Sequence, residues 1–154
     1  MTIGHDERHA LLEELDLLRQ RRREIEETLE VDDRPHDVGD QSEATQRRDD
    51  LDWIDLRIRD LTHYLYAAAV RDNVPPERVG VGAVVTIRYP DGDVETVQVA
   101  AFPDEDIPVV TPNSPLGRAL LGSAAGEEIR WEAPEGHLRA RVEAIRTATA
   151  GPVP

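Results

Sequence analysis

The chain has 154 residues, with 32 acidic against 18 basic side chains, a formal net charge of −14 and no cysteine. A charge of that sign excludes independent DNA binding, whose affinity rests on neutralised phosphates, and the absence of thiols excludes disulfides, thiolate chemistry and cysteine zinc sites. No apolar run approaches the roughly 18 residues of a membrane span, and the opening "MTIGHDERHA" lacks the layout of a secretory signal, so a cytoplasmic protein without membrane contact is expected.

The first half carries two helical hydrophobic patterns. Leu11, Leu15, Leu18, Ile25 and Leu29, with Arg22 in the gap, step along the chain by alternating fours and threes. That is a coiled-coil seam with one polar interruption. Leu51, Ile54, Ile58, Leu61, Leu65 and Ala68 form a second seam of equal length, and two such seams predict an antiparallel hairpin over residues 1–74. Pairing them head to tail puts the turning point near residue 40, with Gly39-Asp40 at the tip of helices on the order of 35–40 Å long. Pro35 breaks the end of the first helix. The tip stretch "DVGDQSEATQ" spaces Asp37, Asp40 and Glu43 by threes. Asp40 and Glu43 read as a capping box, Asp40 as N-cap and Glu43 reaching back from the third position. His5 and His9 have metal-ligand spacing but no carboxylate partner in view and read as surface residues. Trp53 and Trp131 read as packing anchors.

Pro75 and Pro76 end the helical half and predict extended backbone over Asn73–Pro75. Beyond them the period changes to two. "VGAVVTIRY" and "VETVQVAAF", joined by "PDGD", predict a β-hairpin turning at Asp91-Gly92. "SPLGRALLG" predicts a short helix with Ser114 as N-cap, Pro115 in the first position and Gly122 as the stop. "EEIRWEA", the turn "PEGH" and "LRARVEAI" predict a second hairpin. The fold class is α+β: a helical coiled-coil hairpin, then a small antiparallel sheet domain with one short helix over residues 79–147, and a disordered tail at 148–154.

Four stretches resemble the bacterial Gre-type transcript cleavage factors. "LLEELDLLRQRRREI" is similar to that family's first helix, "GDQSEA" to its tip motif, "TPNSPLGRALLG" to its C-terminal signature and "IRWEAPEGHLRARVEAI" to its closing hairpin. The resemblance implies an FKBP-like second domain that docks on RNA polymerase at the rim of the secondary channel, with Ser114, Pro115, Leu116 and Gly117 at the docking edge. It implies that the hairpin enters the channel and that Asp40 and Glu43 help hold a catalytic Mg²⁺ of the polymerase, which then cleaves backtracked RNA. On that reading the chain is a monomeric accessory factor, not an enzyme. It has no cofactor of its own and meets the RNA 3′ end only indirectly. The basic cluster Arg19, Arg21, Arg22 and Arg23 then contacts RNA or polymerase, or else is a solvated face with Arg22 reaching from the seam toward Asp55 or Asp52. Cleaving members continue the tip with Asn and an acidic-Tyr pair, where this chain has "EATQRR". A non-cleaving channel binder that regulates transcription is therefore the alternative. An FKBP-like domain also suggests prolyl isomerisation, but the second half offers only Phe102, Trp131 and Tyr89 to line an aromatic pocket.

Overall fold

A computed structural model describes residues 4–31, 38–102 and 106–147. The two seams fold into α1 (His5–Val31) and α2 (Val38–Asp72). Leu15, Ile25, Ile54, Ile58, Leu61 and Ala68 are buried, and Leu11, Leu18, Leu51 and Leu65 pack against the core. The side chain of Leu29 lies outside the described residues. A forked pair joins the helices, with Arg57 donating to the two Glu14 oxygens at 2.9 and 3.2 Å.

The turning point differs from the seam arithmetic. Residues 38–40 are already helical, so the connection falls at 32–37, outside the described residues. Gly39 is accommodated in the first turn of α2. The capping-box reading is corrected with it: Asp40 is the third residue of α2, not its N-cap. An acid there still meets the positive end of the helix dipole. Asp37 lies outside the described residues.

Asn73 also departs from expectation. It is not extended but left-handed, with φ of 54°. Its N–H donates to the Val70 carbonyl at 3.2 Å, and that of Val74 donates to the Ala69 carbonyl at 3.0 Å. This is a Schellman end, which needs a positive φ that Asn supplies at low cost.

The second half forms five strands, β1 (Val84–Arg88), β2 (Val94–Val99), β3 (Val109–Val110), β4 (Glu128–Ala133) and β5 (Gly136–Arg146), with α3 (Pro115–Leu120) between β3 and β4. Their order across the sheet is β3-β2-β1-β5-β4. The expected all-antiparallel sheet is mixed instead, because β3 pairs parallel to β2. The β1–β2 turn forms where Asp91-Gly92 predicts it, with Gly92 at a φ of 97° and its N–H on the Tyr89 carbonyl at 2.9 Å. The closing turn is tighter than "PEGH", since Gly136 and His137 already pair with Ala133 and Glu132. The tail 148–154 lies outside the described residues.

One apolar core runs through both halves. Leu15 and Leu61 of the hairpin join Val79, Val85, Ile87, Val97, Val99, Leu120, Leu121, Ile129 and Val142. Polar ties surround it. Arg19 makes a forked pair with Glu127, and Arg78 grips Asp16 at 2.8 and 3.3 Å while donating to the Gly122 carbonyl at 3.1 Å. Arg8 meets Glu77 at 2.5 Å, and the Tyr66 hydroxyl donates to the Gly82 carbonyl at 3.1 Å. Gly122 permits the close approach: its φ is 84°, and a Cβ there would lie 2.9 Å from Arg19 Cδ. The hairpin base is thus held in a defined pose on the sheet.

Candidate functional site

The tip pair is set by helix geometry. Asp40 and Glu43 occupy the first two turns of the 35-residue α2, and helix positions three apart share a face. At about 1.5 Å per residue they lie about 25 Å along the axis from Arg59, which donates to Asn113 of the second half. Glu43 is exposed, with its Oε2 3.7 Å from Arg47 one turn on. The side chain of Asp40 lies outside the described residues. Among the described residues no three His, Asp or Glu side chains converge to hold a metal. Two carboxylates at this spacing fit a share of a hard cation's oxygen shell, with the other ligands supplied from elsewhere.

The arginine cluster divides. Arg19 and Arg22 are mostly buried, with side chains 11 and 14 % exposed, and both face this protein. Arg19 holds Glu127. Arg22 leaves the seam toward Asp55, as one sequence reading has it. Its Nε lies 2.8 Å from Asp55 Oδ1, off the N–H axis, and another of its nitrogens donates to the Arg118 carbonyl at 2.8 Å. Arg21 and Arg23 are exposed, Arg21 lying 3.7 Å from Glu24 one turn on.

Burial pushes the Asp55 carboxyl above its ordinary range, against the opposing pull of Arg22 and Arg118. A raised folded-state value means that ionising Asp55 costs the folded chain more than the unfolded one. Its stabilising contribution is therefore complete below 3.8 and is lost as pH rises through the folded value. Asp55→Asn removes the titration, so the variant's stability relative to the unsubstituted chain rises with pH from about 3.5 to about 7. Urea unfolding of both proteins at the two pH values checks the sign.

Ser114, Pro115, Leu116 and Gly117 form the entry to α3. Ser114 Oγ accepts from the Gly117 N–H at 3.0 Å and donates to the Thr111 carbonyl at 2.8 Å. Pro115 is exposed and Leu116 half-buried, while Gly117 is buried. The stretch thus presents an edge while its glycine is consumed by packing.

Other candidates resolve as surface or packing. His5 is exposed, and His9 meets Glu13 at 3.0 Å. Trp131 packs on the core, its ring 6.1 Å from that of Tyr89. Trp53 is 62 % exposed and is not the anchor expected of it. Phe102 is 82 % exposed, which removes it from any aromatic pocket. Tyr89 is tied up as well: burial, helped by its hydrogen bond to Glu95, pushes its hydroxyl up to about 12. No helix among the described residues is long and apolar enough to cross a membrane.

Residues 74–147 match the family model described as transcription elongation factor, GreA/GreB, C-terminal. An uncharacterized protein of Mycobacterium tuberculosis is 34 % identical over 149 residues, covering 90 % of this chain and 89 % of that one. The transcription elongation factor GreA of Oceanobacillus iheyensis is 30 % identical over 139 residues, covering 86 % and 87 %. Among solved structures, the transcription factor Gfh1 is 26 % identical, covers 94 % of this chain and 96 % of its own, and has a TM-score of 0.42. The sequence match extends over nearly the full length of a GreA factor as well as over the C-terminal family model, and the chain belongs to the GreA/GreB family of transcription elongation factors.

Proposed function

We propose that this chain binds RNA polymerase through the edge at Ser114–Gly117, passes its hairpin into the secondary channel and brings Asp40 and Glu43 to the polymerase active centre. There it promotes cleavage of backtracked RNA. The observation that carries this reading is the length of α2. One end packs into the core beside the sheet, and the other holds both acids well beyond that base. A rigid helix of this kind delivers chemistry to a recessed site without an active site of its own. The polymerase Mg²⁺ supplies the activation of water and phosphate that phosphodiester hydrolysis requires. The chain's part is to position two carboxylates, since Mg²⁺ is usually held by one or two carboxylates together with waters and substrate phosphates.

The test is a stalled elongation complex with end-labelled RNA, incubated with and without the purified protein. Shortened RNA that appears only when both polymerase and factor are present supports the proposal. Failure of immobilised polymerase to retain the protein overturns it.

A second reading, a channel binder that regulates without cleavage, is favoured by one observation. Arg47 stands 3.7 Å from Glu43 and competes as a cation for the carboxylate a metal needs. Under that reading the protein lowers transcript yield and leaves RNA length unchanged. Arg47→Ala then frees Glu43 and produces RNA shortening that the unsubstituted chain does not give. RNA length that stays unchanged with the variant in the same assay shows that the ion pair does not govern the tip.

A further inference from the structure

The outer face of the sheet departs from the charge of the rest of the molecule. The chain is acidic overall, at −14, yet Arg88, Arg130, Arg139 and Arg141 all stand exposed on three adjacent strands. The register sets like charges against each other twice: Arg88 opposes Arg141 across β1–β5, and Arg130 opposes Arg139 across β4–β5. Like charges directly opposite destabilise a sheet, and packing does not require them on a solvent face. Arg88 is partnered by Glu143 at 2.6 Å, and Arg130 lies 3.4 Å from Glu128. Arg139 and Arg141 make no hydrogen bond or ion pair with any described residue. Beside them the face is indented. β1 ends at Arg88 while β5 runs on, leaving an open depression lined by Arg88, Tyr89, Pro90, Glu128, Arg139, Ala140 and Arg141, with Glu128 opposite Arg141 across β4–β5 and turned to Arg130.

We propose that this face is a docking surface for an acidic polypeptide segment, with Arg139 and Arg141 as its two free grips. The guanidinium group presents a planar fork that takes a carboxylate by two parallel hydrogen bonds. The spacing favours a peptide over a nucleic acid. Glu128, Glu132 and Glu143 are interspersed on the same strands, and they repel a continuous phosphate backbone while leaving gaps for separated carboxylates. The net charge of the chain opposes polyphosphate binding as well. The surface is distinct from both the hairpin tip and the 114–117 edge, and it does not depend on their roles.

The test uses the full chain and a fluorescein-labelled twelve-residue peptide of alternating Asp and Glu, read by fluorescence anisotropy. The peptide is expected to bind, and raising the salt is expected to weaken it. Arg139→Glu with Arg141→Glu is expected to weaken binding at least tenfold. Arg21→Glu with Arg23→Glu makes the same charge change on α1 and should shift affinity less than threefold. Circular dichroism melting establishes that both variants fold. Three results overturn the proposal: no binding by the unsubstituted chain, equal losses in the two double variants, or tighter binding of a twelve-nucleotide RNA that Arg139→Glu with Arg141→Glu abolishes.

Discussion

Asp40→Ala combined with Glu43→Ala reduces RNA shortening in a stalled elongation complex by at least about 100-fold, while the variant still binds polymerase. The size follows from the proposed role: removing both carboxylates removes every oxygen the chain contributes to the metal, and even groups one shell further out are worth roughly 10–100-fold. The loss should not be one of folding. Glu43 is an exposed helix residue, alanine is the best helix former, and surface changes of this kind usually stay within about 0.5 kcal/mol. Each single variant keeps one carboxylate and should fall between the double variant and the unsubstituted chain. Normal shortening by a folded, polymerase-bound double variant removes the tip from the chemistry.

Gly117→Ala should lower stability by about 2–3 kcal/mol, a typical cost for inserting a methyl group into a packed site. A Cβ at this position would lie 1.9 Å from the Thr111 carbonyl oxygen and 3.0 Å from Ser114 Oγ. The nearest atom is backbone, so the loop itself must move. That shift also disturbs the Gly117 N–H bond to Ser114, the capping contact of α3. Ser114→Ala removes the cap alone and should cost about 1 kcal/mol. Urea unfolding midpoints of the two variants give the comparison. The larger loss at Gly117 identifies the glycine of "TPNSPLGRALLG" as a folding requirement, with any docking role left to its exposed neighbours. An unchanged midpoint for Gly117→Ala contradicts the packing described here.

What the sequence discloses and what it hides follow from the range of the interactions. The two seams, the Asp91-Gly92 turn and the Ser114 cap with Pro115 behind it are local signals, and each appears where periodicity and turn chemistry put it. β3 has no signature in the sequence because two valines carry no period; only pairing with β2 makes them a strand. The sequence leaves the roles of Arg19 and Arg22 open for a similar reason. Both sit in an arginine run that looks solvated, but their partners Glu127 and Arg118 lie 108 and 96 residues away in the chain. Asn73 carries two opposed signals: Asn at a helix end fits a left-handed cap, while the prolines that follow favour extension. The arginine face could not be read from sequence at all, because it exists only through the register of β1, β5 and β4. At the tip, the seam arithmetic and the helix disagree by several residues, because α2 already begins at Val38 and takes Gly39 and Asp40 into its first turn; the ion pair between Glu43 and Arg47 follows from that helix.

The reach of the hairpin underlies both functional readings, and one measurement addresses it. A photo-activatable cross-linker placed at Ser42, between the two acids, should label the polymerase catalytic subunit beside its active centre and the 3′ end of backtracked RNA. The same group at Glu135, in the β4–β5 turn, should label neither. Labelling from Ser42 confined to the polymerase exterior, or absent while the protein remains bound, would contradict the placement of the tip in the channel.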